Sequence, residues 1–157
     1  MDDILFRNAM GKFATGVTVL TTVNDGEPHG MTANAFMSVS LDPKLVVISI
    51  GHKARFLEKV IESQKFGVSI LADDQEDYSR VFAGQTDGSP EFVYLAGMPV
   101  LDGAVTQLAC EVVSTHIEGD HTLFIGKVVD IQLEDKNPLL FFGGKYRKLV
   151  ELANVES

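Results

Sequence analysis

The feature that most constrains this fold is a pair of long strand-forming runs, Gln107 to Glu118 and His121 to Glu134, separated only by Gly119-Asp120. A glycine-led two-residue link between such runs is a hairpin, and a hairpin pairs its strands antiparallel. The rest of the chain repeats this pattern at shorter length. Val17 to Val23 alternates as a strand and reaches the turn Asn24-Asp25-Gly26. A strand carrying Gly30 to Ser40 follows, then Leu45 to Ile50, Phe66 to Leu71 and, near the end, Leu139 to Phe142 before Gly143-Gly144. Helical periodicity is confined to three short segments. The first is capped by Asp2 or Asp3, carries a stripe of Leu5, Phe6, Ala9, Met10 and Phe13 that reads as core, and is ended by Thr15-Gly16. The second lies near Ala54 to Ser63 with Phe56, Leu57, Val60 and Ile61 inward. The third is Glu76 to Phe82, ending at Gly84, and Gln85 to Pro90 is a polar loop. Many strands, frequent hairpins and few helices predict a mostly β chain: a closed antiparallel barrel with a few flanking helices. No repeat, linker or low-complexity tract divides residues 1–157, so a single domain is expected.

Charge and cysteine content narrow the chemistry. A net charge of −9 argues against nucleic acid or an anionic membrane surface as a partner, so any anionic ligand must be held by local donors. Cys110 is the only cysteine, which rules out an internal disulfide or a cysteine cluster. Within Leu108-Ala109-Cys110-Glu111-Val112 the alternation makes it a small core residue. His29, His52, His116 and His121 show no metal-ligand spacing, and no metal site is expected. The chain has no G-x-G-x-x-G after a strand, no Walker loop and no G-x-S-x-G elbow. Redox work would therefore need an organic cofactor. Met1-Asp2-Asp3 lacks a signal peptide's cationic end and apolar core, and no apolar run is long enough to span a bilayer, so a cytoplasmic location is expected.

The segment from His29 to Pro43 is unlike a strand that only fills a core. Thr32, Ser38 and Ser40 supply hydroxyls and Asn34 an amide, among the small residues Gly30, Ala33 and Ala35 that let a ligand approach the backbone. The apolar run Leu45 to Ile50 follows, with Ser49 inside it, where a buried hydroxyl must find a partner or face a ligand. Lys53 and Arg55 stand where the second helix begins, a seat suited to phosphate. Each feature alone also fits an ordinary Ser/Thr-rich loop and a solvated first turn. Grouped in one span, they suit a planar ligand with a polar edge and a phosphate.

The blocks Phe13-Ala14-Thr15-Gly16-Val17-Thr18-Val19, Gly30 to Pro43, Phe82-Ala83-Gly84, Gly97-Met98-Pro99-Val100, Gly119 to Gly126, Pro138 to Phe142 and Gly144-Lys145-Tyr146 occur in that order. In these the chain closely resembles the small flavin reductase components of two-component aromatic monooxygenases, the phenol and 4-hydroxyphenylacetate hydroxylase type. The resemblance covers nearly the full length. It implies a flavin-binding split barrel, a homodimer with flavin sites near the subunit interface, and reduction of FAD or FMN by NADH or NADPH. The reduced flavin would then serve a separate oxygenase component. No arginine cluster marks a site for a 2′-phosphate, so NADH is the expected coenzyme.

The resemblance also implies residue roles. Thr32, Ala33, Asn34 and Ala35 would lie along the isoalloxazine and ribityl chain, and Ser38 and Ser40 on the phosphate side. Ser49, Gly51, Lys53 and Arg55 would serve the phosphate and dinucleotide arm, with Phe82, Ala83 and Gly84 completing the wall. His121, Gly144, Lys145 and Tyr146 would form the nicotinamide side, His121 positioning the ring. Taken alone, His121 reads as a rim residue bonded to Asp120 or water, and Lys145 and Tyr146 as a docking segment. Two other activities stay open on this barrel: a flavin carrier or sensor without turnover, and an oxidase of a small substrate, as pyridoxamine phosphate oxidases are.

Overall fold

Seven strands form one sheet in the order β3-β2-β6-β9-β10-β5-β4, every ladder antiparallel. These are β2 (Thr18–Asn24), β3 (Glu27–Ala33), β4 (Phe36–Ser40), β5 (Leu45–Gly51), β6 (Lys65–Ile70), β9 (Thr106–Glu118) and β10 (His121–Leu133) in the computed structural model, which describes residues 1–153. A second sheet joins β1 (Thr15–Gly16), β11 (Leu139–Phe142) and β12 (Lys145–Lys148), and β7 (Phe92–Leu95) pairs with β8 (Met98–Leu101) as a separate hairpin. Three helices flank them: α1 (Asp3–Met10), α2 (Phe56–Ser63) and α3 (Glu76–Phe82). None of them is long and apolar enough to cross a membrane.

The expected closure of the barrel is not made by hydrogen bonds. The two edge strands of the large sheet, β3 and β4, are consecutive in sequence, yet no ladder joins them. The single strand expected over Gly30 to Ser40 is broken at Asn34-Ala35, where Asn34 O accepts from Phe36 N at 3.1 Å and Ala35 O from Ser49 N at 3.4 Å. The tight corner turns the chain from one edge of the sheet to the other.

Local signals that need only backbone geometry are met. Asp25 and Gly26 have φ of 51° and 77° and turn β2 into β3; Gly119, at φ 59°, opens the β9–β10 turn. Asp2 caps α1, its carboxylate accepting from Ile4 N at 2.9 Å, and α3 has the expected bounds.

Four expectations are corrected. The α1 stripe is not core: no α1 residue is buried, and Leu5 and Phe13 are 63% and 77% exposed. Thr15-Gly16 is not a helix stop but a short strand on β11, the helix having ended at Met10. Another concerns β2, which does not alternate but is buried on both faces from Thr18 to Thr22. It lies between two apolar clusters. One joins Leu20, Ile48, Phe66 and Phe124 of the large sheet to Phe56, Leu57 and Val60 of α2. The other joins Val17, Val19, Leu71, Leu101 and Leu139 beneath Tyr78, Phe82 and Tyr146. The inward-facing hydroxyls of β2 are satisfied: Thr18 donates to Ala33 O at 2.7 Å, Thr22 to Lys65 O at 2.7 Å, and Thr21 to Pro99 O. Ile61, expected inward, is about half exposed because α2 shows the core only its Phe56-Leu57-Val60 face.

Cys110 is buried in the first cluster, and burial pushes its thiol up to about 12, so it stays an inert core residue. Beside it Gly126 leaves room for the Phe66 ring, which a Cβ there would overlap.

Candidate active site

The break at Asn34-Ala35 leaves a recess on each side, and Asn34 borders three adjoining cavities. One of ≈ 900 Å³ is mostly apolar, lined by Ala35, Phe36, Met37, Leu123 and the hydroxyl-bearing Ser49, and reached by Phe13 and Thr15. A second of ≈ 500 Å³ is lined by Thr32, Ala33, Ala83, Gly144, Lys145 and Tyr146, with one face of α3. The third, ≈ 620 Å³, lies between α1 and Gly143-Gly144. Volumes in this range are those of small-ligand sites.

The apolar recess tests whether a flavin suits these residues. The side chains of Asn34 and Ser49 make no hydrogen bond among the described residues, although each borders it. Their free donors and acceptors stand against apolar walls, with Ala33 and Ala35 leaving backbone bare at the corner. A planar ring with one polar edge matches that donor set, so the residues fit the group.

The second cavity owes its shape to contacts invisible in the sequence. Glu76, Ser79, Arg80 and Ala83 are spaced three, four and seven residues along α3 and share the face that lines it. Thr32 Oγ1 donates to Ser79 O at 2.6 Å, tying α3 to β3, so this hydroxyl is already engaged by the protein. The buried Ser79 Oγ lies 2.6 Å from Tyr146 Oη, and Phe141 meets the Tyr146 ring edge-on at 5.3 Å. The Arg80 guanidinium lies over that ring, 5.0 Å from its centroid. Glu76, Ser79, Arg80, Gln85 and Phe141 were all missed by sequence reasoning. Only the helical spacing of the first three hinted at a shared face.

The expected site residues divide into groups. Thr32, Ala33, Asn34, Ala83, Gly144, Lys145 and Tyr146 come together around one cavity, and Asn34, Ala35 and Ser49 around the next. Phe82 turns away: its ring packs on Gly30, where an added Cβ would sit 2.8 Å from it, and lies 5.8 Å from Phe92. Gly84 ends the α3 segment at φ 74°. Ser38 and Ser40 lie on the edge strand β4, Ser38 exposed and Ser40 half-buried, and neither borders the three cavities. Lys53 and Arg55, both exposed, border a separate depression of ≈ 420 Å³ with His52 and Lys59 just before α2.

His121 pairs with Gly51 across β10 and β5, and the next pair on that face is Leu123 with Ser49. Its ring lies against Gly51, a Cβ there falling 3.6 Å from Nε2. His121 Nδ1 lies 2.8 Å from Asp120 Oδ1. That hydrogen bond, reinforced by the charge of His121, holds the exposed Asp120 carboxyl below the usual range. An ionised carboxylate only accepts, so Nδ1 carries the proton. Thus His121 belongs with the Ser49 end of the groove, whereas Gly144 to Tyr146 border the α3 end.

Comparison with known proteins bears on the family and the fold. The profile of the flavin reductase-like domain matches residues 10–150. An NADH-dependent flavin reductase from a Rhodococcus species is 46% identical over 96% of this chain and 88% of its own. The reductase component of 4-hydroxyphenylacetate 3-monooxygenase from Thermus thermophilus is 36% identical over 92% of this chain and 95% of its own. The solved structure of the flavin reductase PheA2 in its native state superposes with a TM-score of 0.94 at 57% identity, covering 96% of this chain and all of that one. A chain matched over this length, with the side chains of Asn34 and Ser49 free of hydrogen bonds among the described residues beside the break between two sheet edges, belongs to the flavin reductase-like family.

Proposed function

We propose that this chain is an NADH-dependent flavin reductase whose reduced flavin serves a separate monooxygenase acting on an aromatic compound. The observation that carries this reading is the meeting of three cavities at Asn34, with an apolar recess on one side and a polar, cation-bearing one on the other. It is supported by the names of its relatives, NADH-dependent flavin reductases and reductase components among them. Bound FAD or FMN would supply the ring that accepts hydride. The protein's own part is positional. The Asn34 amide and the Ser49 hydroxyl hold the ring's polar edge, while Ala33 and Ala35 give it access to backbone. Ser38, Ser40, Gly51, Lys53 and Arg55 serve the phosphate side, the cations being unpaired among the described residues. Gly144, Lys145 and Tyr146 orient the nicotinamide from the α3 end, and His121 orients it from the other. Hydride transfer depends on stacked rings at close approach, so none of these side chains has to move a proton.

A homodimer would reconcile the two ends of this nicotinamide set if a second copy brought its own His121 to the groove. The exposed apolar residues of α1 and Val113, Ile117, Val129 and Ile131 on β9 and β10 are the surface such a copy would cover. Sedimentation at the monomer mass at micromolar concentration would refute it. The split-barrel description and a cytoplasmic setting, where reduced nicotinamide is available, complete this reading, as does one flavin reductase-like domain over residues 1–157.

The purified protein is expected to oxidise NADH only when FAD or FMN is added. With catalase present it should leave phenol and 4-hydroxyphenylacetate unchanged, because hydroxylation needs a further water-excluding substrate pocket. No flavin-dependent NADH oxidation would end the reductase reading, and hydroxylation by this chain alone would end the two-component one. Within that assay His121→Ala should lower the rate of bound-flavin reduction by roughly tenfold or more, the scale of a lost near-attack alignment. Its flavin affinity should change far less. Equal stopped-flow rates in variant and parent would return His121 to the role of a rim residue.

A further inference from the structure

Ser79 and Tyr146 both border the ≈ 500 Å³ cavity, and their hydroxyls meet in its wall. Ser79 is fully buried and Tyr146 half-buried, with Ser79 Oγ 2.6 Å from Tyr146 Oη. Neither hydroxyl makes another hydrogen bond among the described residues. Two O–H groups thus share one bond, and one proton is left over. Were the phenol the donor, the serine proton would be stranded in a wall closed to water, the costlier arrangement. Serine is therefore the donor, and the phenol O–H of Tyr146, the more accessible of the two, is free for a ligand. The phenol ring is held in place besides. Phe141 meets it edge-on at 5.3 Å, and the Arg80 guanidinium lies over it, 5.0 Å from the centroid.

We propose that Ser79 is a positioning residue: by donating to Tyr146 it presents the phenol as a hydrogen-bond donor to the carboxamide of the nicotinamide. This rests on the reading of Gly144, Lys145 and Tyr146 as the nicotinamide side. A nicotinamide ring carries one good acceptor, the carboxamide carbonyl, attached next to the carbon that gives up hydride. A donor fixed on that oxygen orients the ring for stacked transfer. Ser79 itself does not touch the dinucleotide and acts through Tyr146. Its backbone is held independently, its carbonyl accepting from Thr32 Oγ1, so loss of the Ser79 hydroxyl leaves α3 tied to β3.

Titration of the flavin-loaded protein with NAD+ and with ADP-ribose, which lacks the nicotinamide, tests this. The proteins compared are the parent, Ser79→Ala, Tyr146→Phe and the double variant. Each single substitution should weaken NAD+ by about threefold to tenfold, the scale of one hydrogen bond, and ADP-ribose by less than about twofold. The double variant should bind NAD+ no worse than Tyr146→Phe, because Ser79 acts only through that hydroxyl. A serine that served the packing of α3 alone would weaken neither nucleotide, or both alike. Unchanged NAD+ affinity in either single variant, ADP-ribose weakened as much as NAD+, or losses that multiply in the double variant overturn the proposal. Tyr146→Phe leaves α3 untouched, so its failure to distinguish the two nucleotides overturns the proposal even where Ser79→Ala folds poorly. If NADH still drives flavin reduction in those cases, the reductase reading stands; a parent without flavin-dependent NADH oxidation overturns both.

Discussion

Gly30→Val should destabilise the protein by about 1–3 kcal/mol, lowering its melting temperature by about 2–12 °C, and should sharply reduce flavin reduction at the same time. Gly30 lies in β3 with its α-carbon facing the Phe82 ring; a Cβ there would stand 2.8 Å from two ring carbons and 3.3 Å from Leu20 O. Val adds two methyl groups beyond that Cβ. The ring cannot swing aside freely, because it packs against Phe92 and the buried cluster of Val17, Val19, Leu71, Leu101 and Leu139. Relief must come from moving α3 away from β3. That movement breaks the bond from Thr32 to Ser79 and displaces the α3 face carrying Glu76, Arg80 and Ala83. Stability and activity should thus fall together. Thermal melting beside a steady-state assay checks this, and a variant with parental midpoint and rate would show that Phe82 is not what spaces α3 from the sheet.

Asn34→Ala should do the opposite, sparing the fold and weakening the flavin. The Asn34 side chain is exposed, and the corner is held by its backbone, through the bonds from Phe36 N to Asn34 O and from Ser49 N to Ala35 O. A surface substitution of this kind changes stability by roughly 0.5 kcal/mol or less. Flavin affinity should drop by about 1–3 kcal/mol if the amide bonds the ring edge, since the ring's polar group then loses a partner in a largely apolar recess. Fluorescence titration with FAD and with FMN, beside a melting curve, separates the two effects. Unchanged affinity for both flavins would move the polar edge of the ring away from Asn34.

How much of this was legible in the sequence depended on how far apart the deciding residues lie. The turns at Asp25-Gly26 and Gly119 needed only residues tolerant of positive φ, and α3 showed its bounds through periodicity and Gly84. Two later strand features escaped notice. The β7–β8 hairpin spans Phe92–Leu95 and Met98–Leu101 about the turn residues Ala96 and Gly97, and β12 is the polar stretch Lys145–Lys148, without alternation to announce it. The site was legible as a cluster of residue types. Thr32, Ala33, Asn34, Ala35 and Ser49 do gather at one corner, but Ser38, Ser40, Lys53 and Arg55 border none of the three cavities there.

By itself the sequence determined a mostly β chain with antiparallel hairpins, an inert buried Cys110 and a donor-rich segment out of place in a plain core. Those properties follow from φ preferences, period-two patterning and side-chain chemistry, all of which act over a few residues. Only the tertiary structure decided that β2 is buried on both faces, that the α1 stripe faces outward, and that β3 and β4 part at Asn34. It alone placed Ser79 against Tyr146, 67 residues further along the chain. The physical reason is that apolar patterning shows that a face will be covered, while the packing of distant elements decides what covers it.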